Sequence, residues 1–194
     1  MKVGELRRIA RLSRAEFGLA ATTLVAVLVL DVLPALILGV VVSIVLVIGR
    51  ASRPAVSVLG VDPDHPAAYL DHRRHPGATP VPGLHLVRPD APIFYANAQA
   101  ICDAITEAVG AEPPIATVVL DLDGSDALDI TSTEHLVTTA RALDRAGIAL
   151  ALANVHAPAR RTADALGLTD AVGADRIHPT VHDAVLAHRR TEAP

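Results

Sequence analysis

The sequence predicts an α/β fold: a mixed β-sheet packed with helices, preceded by a short transmembrane helical hairpin. Three observations carry this. Apolar runs fill most of Phe17 to Gly49, with cations on both outer flanks. Thr117 to Leu136, TVVLDLDGSDALDITSTEHL, reads as a buried strand, a tight loop and the start of a helix. From Leu84 onward, strand-like segments alternate with helix-like ones.

The amino-terminal third comes first. Lys2, Arg7, Arg8, Arg11 and Arg14 precede an apolar run from Phe17 to Leu30. Asp31 interrupts, Val32 to Gly49 is apolar again, and Arg50 and Arg53 close the segment. Neither run has a polar face, which argues for lipid rather than a soluble core. A cleaved signal peptide does not fit, because the apolar region continues too far. One helix over Phe17–Gly49 would be about 50 Å long, against a hydrocarbon core of about 30 Å. A single span over Leu24–Ile48 would hold Asp31 in the bilayer at about 2.5–3.5 kcal/mol. A turn at Asp31-Val-Leu-Pro34 removes that cost and sets Pro34 in the first turn of a second helix, where it is tolerated. The expectation is two short helices, about residues 17–30 and 33–49, with both outer ends in the cytoplasm.

Residues 51–82 are rich in Pro and His and are expected to be an extended linker. The domain expected at residues 83–190 then has strands at Leu84–Arg88, Ile93–Tyr95, Ile115–Leu122 and Ile148–Ala153, and a short one near Arg176–His178. Helices are expected at Asn97–Val109, Thr131–Ala146, Ala159–Leu166 and Thr180–His188, with Gly110 and Gly147 at helix C-caps. Asp129 or Thr131 is placed to cap the second of these.

Composition removes several function classes. The chain has 194 residues, 51% of them apolar, with 2% aromatic and a formal charge of -4. Scarce aromatics and negative charge argue against nucleic acid. Cys102 alone excludes an internal disulfide and a Cys-based zinc site, and its apolar helical surroundings suit a small core residue. There is no G-x-S-x-G, P-loop or G-x-G-x-x-G. His178 and His182 share i, i+4 spacing, but Pro179 intervenes and no third metal ligand is placed nearby.

VVLDLDGS resembles the opening motif of haloacid dehalogenase-like phosphatases, which would make Asp121 a nucleophile and Asp123 a general acid. That family would also bring a later Lys or Arg after a hydroxyl residue and an acidic pair for Mg²⁺; this chain has no Lys beyond Lys2 and no Asp-Asp or Gly-Asp-x-x-x-Asp pattern after the strand. A longer resemblance runs from Gly83 to His188. IFYANAQAICDAITEAV, VVLDLDGSDALDITSTEHL and ALDRAGIALALANVHAPARRTADALGLTDAVGADRIHPTVHDAV resemble, in order, the strand, loop and helix segments of STAS domains. The membrane segment, through R-x-S-R-P and V-x-x-L-G, is similar to the last two short membrane helices of SulP transporters, as Tyr69, Arg73 and Arg74 are to residues ahead of their STAS domain.

That resemblance implies a STAS-like sheet and a regulatory, non-catalytic role in sulfate or anion transport, with no metal and no cofactor. A free-standing membrane-tethered STAS signalling protein is the alternative. The implied partners are the membrane, a second copy or the remaining transporter chain, and a regulatory protein at the loop. In anti-sigma antagonists the residue after the loop Asp is a phosphorylated Ser. Here that position is Ile130, so Asp129, Thr131 and Ser132 are the regulatory candidates.

Overall fold

The computed structural model describes residues 32–52, 54–107 and 114–192, with the isolated positions Gly18 and Thr22. It divides into two compact units, Met1–Ala51 and Ser52–Pro194.

In the first unit, helix α1 spans Val32–Ala51, VLPALILGVVVSIVLVIGRA. It is apolar along nearly its whole length, and almost all of its side chains are left uncovered. Twenty residues at about 1.5 Å each give about 30 Å, the thickness of the hydrocarbon core. The helix is therefore longer than the short 33–49 segment expected. Pro34 is in the first turn, where its missing N–H costs nothing. Asp31 and, apart from the isolated positions Gly18 and Thr22, the first helix of the expected hairpin, 17–30, lie outside the described residues.

The second unit holds one six-stranded sheet in the order β2-β1-β3-β4-β5-β6. Three strands come first and helices alternate with the rest: β1 Val56–Val61, β2 Tyr69–Asp71, β3 Leu84–Pro89, α2 Ala98–Thr106, β4 Thr117–Asp121, α3 Ile130–Arg145, β5 Ala149–Ala153, the pair α4 Ala157–Ala165 and α5 Leu168–Val172, β6 Ile177–His178 and α6 Val181–Glu192. β1 runs antiparallel to β2 and β3, while β3, β4, β5 and β6 are parallel.

Alternation along the central strands divides two cores. Val118, Leu120, Leu150 and Leu152 face α2, α3, α4 and α5, against Ile101, Ile105, Leu136, Leu143 and Leu168. Val119, Ala151 and Ala153 face the other way, against Val181, Ala184 and Val185 of α6. Burying each large aliphatic side chain contributes about 1.5–3 kcal/mol, so the first face holds most of the stability.

Three expectations are corrected. Residues 51–82 are not only a linker, since Val56–Val61 and Tyr69–Asp71 join the sheet. The apolar side chains of VSVLGV, with Val56 against one core and Leu59 and Val61 against the other, outweigh the surrounding prolines, and Gly60 lets the Ala78–Thr79 backbone pass where a Cβ would meet it at 3.0 Å. Ile93–Tyr95 is not a strand, because its amides are taken elsewhere: Ile93 N donates to Ser125 Oγ (3.0 Å), Phe94 N to Asn97 Oδ1 (2.9 Å) and Tyr95 N to Asp129 Oδ2 (2.7 Å). The helix after β5 ends at Ala165 and α5 follows separately, because Gly167 takes a left-handed φ of 76°. Gly147 does follow the C-cap Ala146 of α3, with φ 76°. Gly110 lies outside the described residues.

Candidate functional site

Parallel strands place the loops after β3, β4, β5 and β6 at one end of the sheet, the usual place for a site in such folds. Two aspartates organise these loops, one at each end of the β4–α3 connection.

Asp121 closes β4 and is 1% exposed. Its Oδ2 is 2.6 Å from Arg88 Nε on β3. Its Oδ1 accepts from Asn154 Nδ2 at 2.8 Å and from the Asp123 amide at 3.0 Å. Asn154 sits at φ 55°, a left-handed conformation that Asn tolerates and that turns its amide group back toward β4. A carboxylate that is buried and accepts from three donors is committed to the fold. It ties three strand ends together.

Asp129 caps α3. Its Oδ1 accepts from Ser132 N at 2.7 Å, and its Oδ2 accepts from the Tyr95 amide. One carboxylate thus satisfies a helix-end donor and fixes the β3–α2 loop beside the β4–α3 loop. The hydroxyls of Ser132 and Thr133 donate back to the Asp129 carbonyl, at 3.1 and 2.8 Å. Ser132 is buried and Thr131 is exposed. Of Asp129, Thr131 and Ser132, it is Thr131 that presents its side chain to solvent.

A cleft of about 400 Å³ opens beside this loop, lined by Asp123, Asn154, His156, Arg160 and His178 among others. His156 Nε2 donates to the Asp123 carbonyl at 3.1 Å, and Arg160 is held by Asp164 at 2.9 Å. Burial pushes His178 below the ordinary imidazole range, with Asp183 and Asp175 opposing it. His182 turns instead to the Tyr69 hydroxyl, 3.1 Å away. Among the described residues no group of three or more His, Cys, Asp or Glu could hold a metal ion.

Sequence reasoning missed Arg88, Asn154, Ser125 and Tyr95. Nothing local marks their roles, because each acts through a partner remote in the chain. The one available signal was the lone acid at the end of an apolar strand, which demands a buried partner.

Comparison with known proteins agrees with this geometry. Residues 75–184 match the STAS domain family. Over 189 residues the chain is 35% identical to a probable sulfate transporter of Mycobacterium tuberculosis, covering 97% of this chain and 34% of that protein. The murine Solute Carrier 26 family member A9 anion transporter, in its inward-facing state, aligns with a TM-score of 0.82 at 20% identity, over 95% of this chain and 30% of that one. The STAS domain of a Vibrio cholerae SulP transporter aligns at 0.51 and 19% identity, over 63% of this chain and 94% of that one. The chain spans about a third of the length of the full transporters it matches. By the family match and these likenesses, the chain belongs to the STAS domain family and is similar to the C-terminal part of SulP/Solute Carrier 26 transporters.

Proposed function

We propose that this chain supplies the C-terminal membrane hairpin and the cytoplasmic STAS regulatory domain of a SulP-type sulfate or anion transporter. It does no catalysis and does not transport by itself. The observation that carries this reading is α1, a 20-residue apolar helix with exposed side chains, in the same chain as a STAS domain. In SulP-type transporters the anion site is expected between broken helices of the membrane core, which a third of the transporter length leaves out. The loop at Asp129, Thr131 and Ser132 is then the regulatory contact, with Thr131 as its accessible hydroxyl.

Co-purification from native membranes in mild detergent, with mass identification of what accompanies the chain, tests the assignment. A partner carrying the remaining transporter helices is the expected result. Recovery of this chain with itself alone, or with a soluble signalling protein, would replace the transporter reading by a membrane-tethered STAS module. Proteoliposomes holding this chain alone should take up no sulfate above protein-free vesicles.

A further inference from the structure

The two faces of the sheet are filled to different degrees. Toward α2, α3, α4 and α5, the strands β4 and β5 carry Val118, Leu120, Leu150 and Leu152. Toward α6 the same strands carry Thr117, Val119, Ala149 and Ala151, and α6 sets Ala184 and Ala187 opposite them. These side chains are too short to close the space between helix and sheet. A cleft of about 340 Å³ is left. Small-molecule pockets run from roughly 300 to 1,000 Å³. It starts at Thr117 and Ala149, the amino-terminal ends of β4 and β5, and so lies at the opposite end of these strands from the Asp129 loop.

The floor of the cleft is apolar and covered, since Val119, Ala151 and Ala184 are buried. Its mouth is charged. Asp175 and Arg176, consecutive residues of the short turn Ala174–Arg176 ahead of β6, both line it and both are exposed. Among the described residues neither forms a salt bridge, with the other or with a third group. Arg176 Nη1 donates to the Val172 carbonyl at 3.5 Å, and the guanidinium keeps further donors for a ligand. Gly173, at φ 96°, leaves room for the Asp175 carboxylate, whose Oδ1 would lie 2.8 Å from a Cβ there. His178 and His188 complete the lining.

An aliphatic carboxylate would find Arg176 but be repelled by Asp175, and an aliphatic amine would meet the reverse. A molecule that carries both charges on one carbon, beside an aliphatic side chain, suits both groups and the floor. We propose that this cleft binds an aliphatic α-amino acid of the leucine class. Its carboxylate pairs with Arg176, its ammonium with Asp175, and its side chain fills the space over Val119, Ala149, Ala151, Ala184 and Ala187. Occupancy ties α6 to β4 and β5. Binding here does not depend on whether the chain joins a larger transporter.

Equilibrium dialysis of radiolabelled L-leucine against the full chain in nanodiscs tests the site. L-Leucine should bind saturably. 4-Methylpentanoate lacks the ammonium, 3-methylbutylamine lacks the carboxylate and L-serine lacks the aliphatic body, and each should compete about tenfold more weakly than leucine. R176Q and D175N should each weaken leucine binding about tenfold. Both positions are exposed, so the urea midpoint of the domain should stay at the parent's value. A187L fills the cleft from a half-buried position and should abolish binding. Three outcomes overturn the proposal: no saturable binding to a chain that shows its cooperative urea transition, 4-methylpentanoate competing as well as leucine, or leucine binding unmoved by R176Q and D175N.

Discussion

Helix α1 and the sheet domain are built from the same aliphatic residues and dispose of them in opposite ways. From Val32 to Ile48 the large side chains of α1 are exposed, whereas Leu86, Leu120, Leu136, Leu152 and Leu168 of the domain are fully buried. In water the first arrangement would be prohibitively costly, and in hydrocarbon it costs nothing. The domain solves a different problem. Its charges, such as Asp121, must be paired wherever they are covered. Hydrophobicity alone therefore does not say where a segment sits. The polar groups interleaved with it do.

Substitutions can sharpen that contrast. The largest effect is expected from Arg88→Met, which leaves Asp121 buried with Asn154 and an amide as its remaining donors. The loss should be about 3 kcal/mol, read as a fall in the urea midpoint of the domain. A midpoint within 0.5 kcal/mol of the parent, roughly surface-substitution size, would mean that the pair contributes nothing net.

Val41→Arg puts a charge near the middle of α1 and should cost about 2.5–3.5 kcal/mol of membrane insertion. The fraction resisting alkaline carbonate extraction should drop while the urea midpoint of the domain stays put. If the midpoint moves and the extraction does not, α1 is a core helix and the contrast collapses.

Asp129→Ala removes a helix cap and the Tyr95 tether together, for about 1–2 kcal/mol. Hydrogen exchange at the Tyr95 and Ser132 amides should speed up in this variant, and unchanged protection would show that the carboxylate holds neither.

The smallest effect is a pH dependence. Burial holds His85 and His178 below the ordinary imidazole range. The unfolded chain then takes up protons first, so this stability is present above about pH 6.5 and is lost as pH falls toward the folded values. His85→Gln should flatten the slope of the urea midpoint as pH falls below about 6.5. An identical slope in the variant would assign the dependence elsewhere.

Strands β3, β4 and β5 were legible in the sequence because they are short apolar runs followed by loop residues. β1 and β2 were hidden among prolines and histidines: β2 is a three-residue edge strand that takes its backbone partners from β1, and β1 is held between β2 and β3 by ladders that no local pattern announces. Ile93–Tyr95 shows the reverse case. Its composition suits a strand, but Ser125, Asn97 and Asp129 claim its amides.

For the site, the sequence marked Asp129, Thr131 and Ser132 and left open which residue caps the helix. Only the fold decides that Asp129 does, that Ser132 is buried and that Thr131 is exposed. By itself the sequence determined that an apolar membrane-length segment precedes an α/β domain, because those properties follow from composition and periodicity along one local stretch. The pairing of Arg88 with Asp121, and the bond from the Tyr95 amide to Asp129, were decided by tertiary structure alone. Their separations along the chain carry no local signal, and it is the register of the parallel strands that brings their loops together at one end of the sheet.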